Sequence, residues 1–459
     1  MAIITGGNQS GSSSYEVLNS ARFDDLAPDY LHRTPSSAGT RTKYTISVWL
    51  KRSNVDDETF IIAADNPNNN TADLLRFTVS GNTGTGTSDQ LQYAFGKTIA
   101  GNLVTNAVFR DISAWYHVVV AVDTTQSTAS DRAKIYVNGS QVTSFATETY
   151  PAQNYTGDMT DAGLHRIAMD TTNTSHGFDG YMSEFVLIDG QQLTPSSFGE
   201  TDTNSGIWKP KQISGLTFGT TGFYLEFQTA SALGDDTSGN NNDWTSVNLT
   251  TTNQSADSPS NNWCTGNPLY VPTSAAPSDW EDGATVATNR NTTNNWGGEA
   301  TFRMSSGKWY WEVKVGANMG NGANFGIFTD GQHPYNGGTG TAWYSNQGLK
   351  QIDSTTSSYG ATYTDDDILS FAYDADNGIL VAYKNGVSQG TLFSGGAGKI
   401  YVPSFGIANG SLQQDFFNFG NSAATIASGN SDGNGYGNFE YAVPSGFYAL
   451  NTKNLAEFG

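Results

Sequence analysis

Polar and apolar residues alternate with a period of two through the most regular stretches of this chain, and that period marks half-buried strands. In Gly307–Val315, Trp309, Trp311, Val313 and Val315 fall on one face, and Lys308, Tyr310, Glu312 and Lys314 on the other. Downstream, apolar runs flank Asn377-Gly378, and a second Asn-Gly pair follows at Asn385-Gly386. Both central residues of a type I′ turn need positive φ, which Asn and Gly tolerate, so the pattern predicts two successive hairpins. Nearer the start, Ile46, Val48 and Leu50 point one way along a strand. Trp115–Asp123 is a nearly continuous apolar run, suited to the centre of a sandwich. Asn138-Gly139 marks another hairpin, and Phe178–Leu187 a further strand.

Between these regions the pattern thins. Residues 201–265 keep one short apolar run, Phe223–Phe227, among Asn, Asp, Ser and Thr, yet Trp244 and Trp263 imply that the segment packs on something. The prediction is an all-β chain: two antiparallel β-sandwiches (jelly rolls) joined by an ordered, strand-poor connector. Its divisions are an N-terminal arm over 1–17, a first sandwich over 18–200, the connector over 201–265 and a second sandwich over 266–459. The Gly- and Ser-rich arm reads equally as a frayed terminus or as a docking peptide.

Composition supports this picture. Charged residues make up 14%, against about a quarter in ordinary domains, while aromatics reach 12%, which argues against disorder. The net charge of −21 argues against a nucleic-acid partner, which needs a basic footprint, and against an anionic membrane. Cys264 is the single cysteine, so no intrachain disulfide forms, and it is expected as a small buried residue. The first residues lack the basic and apolar regions of a secretory signal, and no apolar run reaches the roughly 18 residues of a membrane span.

Residues carrying Trp49, the Trp115–Asp123 strand, the Ile135–Gly139 turn and the Gly180–Leu187 strand occur in an order that resembles the concanavalin A-like, laminin-G-like jelly rolls. That resemblance implies a two-sheet sandwich whose rim loops often bind sugars, sometimes through calcium. The Gly307–Val313 strand and the Asp365–Val387 double hairpin resemble the SPRY family. So do Tyr401–Ile407, Asn418–Gly420 and Pro444–Leu450. The SPRY resemblance implies a bent β-sandwich that binds partners through loops at one end. Three aspartates, Asp365–Asp367, stand where that family usually has Gly-Asp. Taken together, the two domains and their connector resemble virion-surface proteins of tailed bacteriophages, especially marine ones.

Catalytic signatures are sparse. Retaining glycoside hydrolysis needs two carboxylates about 5 Å apart, and a Glu-x-Asp-x-x-Glu strand is missing. Glu184 and Asp189, five apart, should fall on opposite faces of one strand. The five histidines show no metal-ligand spacing, and neither a Gly-x-Ser-x-Gly elbow nor a phosphate loop occurs. His117, inside a strand, is expected to be structural. Catalytic residues, cofactors and resident metals are therefore expected to be none, with Asp65 and Asp73, flanking an Asn-rich loop, as weak calcium candidates.

Sugar recognition combines flat aromatic faces with directional hydrogen bonds from Asn, Asp and Gln. Loops of the second sandwich are rich in both, and Asn289, Trp296, His333, Tyr335, Trp343 and Tyr344 are the candidate ligand contacts. The expected protein is a non-enzymatic virion-surface component, a tail fibre or capsid decoration, made in the host cytoplasm. Its partners would be other virion proteins and glycans of a host surface or the environment. A homo-oligomer is expected, with a trimer favoured, because multivalency raises weak affinities. The alternatives are a purely structural virion component and a glycan-degrading enzyme.

Overall fold

The computed structural model describes residues 15–26, 28–66, 71–81, 87–98, 100–270, 276–277, 279–288, 296–317, 322–329, 340–353, 355–407 and 413–459. The chain divides near Ser260 into two compact units. Each is built on two sheets that are antiparallel but for two short parallel pairings in the second unit, as the sequence pattern predicts.

In the first unit, one sheet is centred on Lys43–Arg52, flanked by Tyr116–Asp123 and Gly180–Asp189. The other runs through Gly101–Val108, Gln90–Phe95, Thr71–Phe77 and Thr59–Asn66. Tyr44, Ile46, Val48 and Leu50 point into the core between the sheets, with Val118, Val120 and Val122 from the neighbouring strand. The intervening Val119 faces outward, yet it too is buried, against Val186, Ile188, Phe198 and Tyr224. That second apolar layer explains why Trp115–Asp123 reads as a continuous apolar run.

Much of the outward layer comes from the segment assigned above to a connector, and the structure corrects that division. Residues 201–260 belong to the first unit. Phe223–Leu225 pairs with Gly180–Asp189, Thr245–Val247 with Tyr30–Arg33, and Gln254–Ser255 with Ser20–Phe23. Nor does the N-terminal arm extend to residue 17. Val17 donates its N–H to Ser260 Oγ at 2.9 Å and accepts from Ser258 Oγ at 2.6 Å, while residues 1–14 lie outside the described residues.

Residues 261–459 form the second unit. Lys308–Lys314 lies at its centre, between Ile368–Asp374 and Gln414–Asn418. Trp309, Trp311 and Val313 enter the core. The middle of the opposite face, Tyr310 and Glu312, is buried as well, against the half-buried expectation, because Phe439 and Ala449 cover Tyr310 beside Trp263. Lys308 and Lys314 at the ends stay partly exposed. The two hairpins also differ. Asn385 and Gly386 both take positive φ, and Lys384 pairs with Val387, giving the expected two-residue turn. At Asn377-Gly378 only the glycine has positive φ, and Asp374 pairs with Ile379 across four residues. There the Asp374 carboxylate accepts the backbone N–H and the side-chain amide of Asn377, which stabilises a longer turn.

Cys264 is buried, as expected. One α-helix is present among the described residues, Thr452–Phe458, with Asn451 at its N-cap accepting from Asn454 N–H.

Candidate functional site

Among the described residues, the ligand contacts read from the sequence do not lie at the surface. Asn289, His333 and Tyr335 lie outside the described residues. Trp296, Trp343 and Tyr344 are buried, which removes them as contacts. Trp296 packs edge-on against Phe405. The Trp343 indole N–H is directed at Ser404 Oγ, 3.4 Å away. Tyr344 donates its hydroxyl to the Ala361 carbonyl and packs against Tyr359 and Tyr363. The reason is shared: their strands are covered on both faces, so aromatic density marks core here.

The calcium candidates separate too. Ala64 pairs with Asp73 and Asp65 with Ala72, so the two aspartates point to opposite faces of one sheet. Asp73 is fully buried, accepts N–H groups from Gly96 and Asp158, and is pushed up to about 7 by burial and by Asp158. Both of its oxygens are already engaged, by those N–H groups and by the Tyr44 hydroxyl. Among the described residues no cluster of three or more His, Cys, Asp or Glu is placed to hold a metal.

A different site emerges at a break in the edge of the first sheet. Along one side of Gly180–Asp189, residues 180–182 pair with Ser20–Phe23 and residues 185–187 with Phe223–Leu225. Ser183 and Glu184 fall in the gap. On the other side the register jumps from Ser183↔Trp49 to Val186↔Ser47, so Glu184 and Phe185 together oppose Val48. This is a β-bulge. Glu184 has φ 50°, a left-handed conformation that costs a non-glycine residue roughly 1–3 kcal/mol. The bulge sends Phe185 into the core and leaves Glu184 free to meet Tyr224 on the outward layer.

There Glu184 is 5% exposed. Its Oε2 accepts hydrogen bonds from Tyr15 Oη, at 2.8 Å, and from Tyr224 Oη. The two hydroxyls lie 3.4 Å apart. Burial pushes the Glu184 carboxyl up to about 7, the two phenols pull it down, and the nearby Glu226 adds to the rise. Both phenols are in turn raised above their ordinary range, first by burial and then by Glu184.

Two openings flank this cluster. The larger, of about 360 Å³, is bordered by Tyr15, Phe218, Tyr224, Gln212 and Ser238. Phe218 stacks nearly parallel to Tyr224, with ring centroids 6.3 Å apart. The smaller, of about 270 Å³, is bordered by residues 15–19, Glu184, Glu226 and Gln228. Asp189, paired with Glu184 in the sequence reading, takes no part: it accepts the N–H groups of Thr40, Thr220 and Thr221 and fixes two loops. His117 is structural. It stacks on Trp49, and Trp208 donates its indole N–H to His117 Nδ1 at 2.9 Å.

Comparison with known proteins gives the class of each unit. Residues 29–197 match the family model described as the concanavalin A-like lectin/glucanases superfamily, and residues 308–421 match that of the SPRY domain. The chain carries a laminin-G-like, concanavalin A-like domain followed by a SPRY domain. The SPRY domain of human HERC1 is similar at 15% identity, covering 33% of this chain and 96% of that one, with a TM-score of 0.27. A Bacteroides ovatus protein provisionally named as carbohydrate binding is similar at 16% identity, covering 52% and 60%, with a TM-score of 0.36. A pentraxin from Limulus polyphemus is similar at 13% identity, covering 39% and 80%, with a TM-score of 0.28. No curated protein matches the sequence.

Proposed function

We propose that this chain is a glycan-binding protein that holds a sugar in the cleft around Tyr15, Glu184 and Tyr224 without cleaving it. The observation that carries this reading is the carboxyl of Glu184, set by a bulge at a break in the sheet and gripped by two phenols between two openings. Aromatic walls offer contact to the apolar face of a sugar ring. Gln212, Ser238 and Glu226 offer directional partners for its hydroxyls. The larger opening is of the size usual for small-ligand sites, which start at roughly 300 Å³. The lectin-like class of the first unit agrees with this use.

A second reading, glycoside hydrolysis, draws on one observation: Glu184, raised to about 7, and Glu226 line the same opening. A carboxylic acid beside a second carboxylate is the pattern of a glycosidase. Two features favour binding instead. One oxygen of Glu184 is occupied by both phenols, and the residue is too buried for the bridging oxygen of an extended chain to reach it. A terminal group of a ligand can reach that depth.

The order of the two domains resembles virion-surface proteins of tailed bacteriophages, and we place the binding function in that setting, on a homo-oligomer whose repeated sites add avidity. The structural alternative keeps the particle and removes the ligand. A glycan array probed with the full chain tests the reading: retention of defined oligosaccharides, lost in Glu226→Gln, supports it. Immunogold labelling of intact particles tests the setting.

A further inference from the structure

Among the described residues, Tyr15 and Glu226 are the two that border both openings of the cleft, so their side chains form the wall between them. Tyr15 is held in that wall at both ends. Its hydroxyl reaches Glu184 Oε2 at 2.8 Å. Its backbone belongs to a strap, residues 15–19, that is tied down two residues further on, where Val17 exchanges hydrogen bonds with the side chains of Ser258 and Ser260. Beside Glu184, Ser183 Oγ donates to the Asn19 carbonyl at 2.7 Å. The ring of Tyr15 therefore crosses from the strap to the bulged strand as a fixed bar.

The other walls of the larger opening are anchored as well. Residues 212–216 and Phe218 form one side, and the Phe218 carbonyl accepts the Asp189 N–H at 2.8 Å. Thr237 and Ser238 form another, and the Thr237 N–H donates to the Tyr224 carbonyl at 2.9 Å. Three separate segments thus enclose this opening, and the Tyr15 bar closes the side towards the smaller one. A sugar chain running through the cleft would have to cross that bar. The end of a chain would not.

We propose, resting on the reading of the cleft as a sugar site, that Tyr15 makes it specific for chain ends. The larger opening takes a single terminal sugar ring, and Tyr15 excludes any unit attached beyond it. An opening of about 360 Å³ stands near the lower limit of small-ligand sites, roughly 300–1,000 Å³, which suits one ring with its substituents. The opening of about 270 Å³ falls below that range. A steric obstacle of this kind discriminates by penalising the wrong ligand, without a new contact to the right one. Shortening Tyr15 would join the two openings into one continuous groove and remove the obstacle.

The test is an array of linear oligosaccharides, each printed with its outer end free and with that end capped by one further sugar, probed with the full chain. The natural chain should retain free-ended glycans at least about tenfold more tightly than their capped forms. The methyl glycoside of the end sugar should compete within about threefold of the whole oligosaccharide. In Tyr15→Ala, or in Tyr15→Ser where only that variant folds, capped and free forms should come to within about threefold of each other. Tyr15→Phe keeps the ring and should keep the preference for free ends. Equal retention of capped and free forms by the natural chain would overturn end recognition and leave the sugar reading standing. A tenfold preference that survives in a folded Tyr15→Ala or Tyr15→Ser chain would overturn the role of Tyr15. Retention of no glycan by the natural chain would overturn both the end recognition and the sugar site.

Discussion

Lys51 Nζ lies 2.8 Å from Asp257 Oδ2, and neither side chain is more than 1% exposed. The pair joins residues 206 apart in sequence. Trp115 adds a hydrogen bond from its indole N–H to the other carboxylate oxygen at 2.9 Å. Asp257 thereby pins the end of the 201–260 segment onto the outward face of the first sheet. Removing one partner of a buried pair leaves an uncompensated charge, which costs about 3–5 kcal/mol. Asp257→Ala should destabilise the first unit by that amount in denaturant unfolding followed by tryptophan fluorescence. The double replacement Lys51→Met, Asp257→Leu should recover only part of the loss, because apolar isosteres remove both ionic desolvation costs but leave the buried Trp115 indole N–H without its acceptor.

Acid should destabilise the same unit through His117. Burial pushes its imidazole down to about 3, and Trp208 donates to Nδ1, so the neutral ring keeps its proton on Nε2, facing Ser47 Oγ. The folded value lies below that of the unfolded chain, so on acidification the unfolded state binds a proton first. Stability is therefore lost as pH falls from about 6.5 towards about 3, at up to about 1.4 kcal/mol per unit. Measured against His117→Gln across that range, the advantage of the natural chain should shrink with falling pH. A constant difference would count against the neutral buried ring.

In the second unit, Glu312 holds the C-terminal segment. Its carboxylate accepts backbone N–H groups from Glu440 and Tyr441, each at 2.9 Å, and the Tyr310 hydroxyl at 2.9 Å. Glu312→Ala would strand the buried Tyr310 hydroxyl, at about 1–3 kcal/mol, and release the half-buried N–H groups of Glu440 and Tyr441 to solvent. The expected result is a second unit whose unfolding midpoint falls well below that of the first. Amide exchange should rise first at Glu440 and Tyr441.

Local signals in the sequence carried much of the fold. Ile46, Val48 and Leu50 lie inward as their spacing implies, and Asn385-Gly386 turns where two positive φ values are needed. The failures came where partners are distant or a strand is covered twice. Phe223–Leu225 and Thr245–Val247 are three-residue strands at sheet edges, too short to show a period. Trp343 and Tyr344 looked like loop aromatics, yet every residue of Thr341–Ser345 is buried. Within its own strand the second carboxylate to Glu184 is Asp189. The count of alternating faces holds for an unbroken strand, and the bulge at Glu184 breaks it. Tyr15 and Tyr224 stand 209 residues apart, and no motif in the sequence joins them.

The most direct test of the central claim is to expose the full chain and its Glu226→Gln variant to the same panel of defined oligosaccharides, measuring retention first and then the mass of each recovered glycan. The account predicts that the unaltered chain retains at least one oligosaccharide and returns it at full length, and that the variant retains markedly less. Shortened products, or equal retention by both proteins, would contradict it.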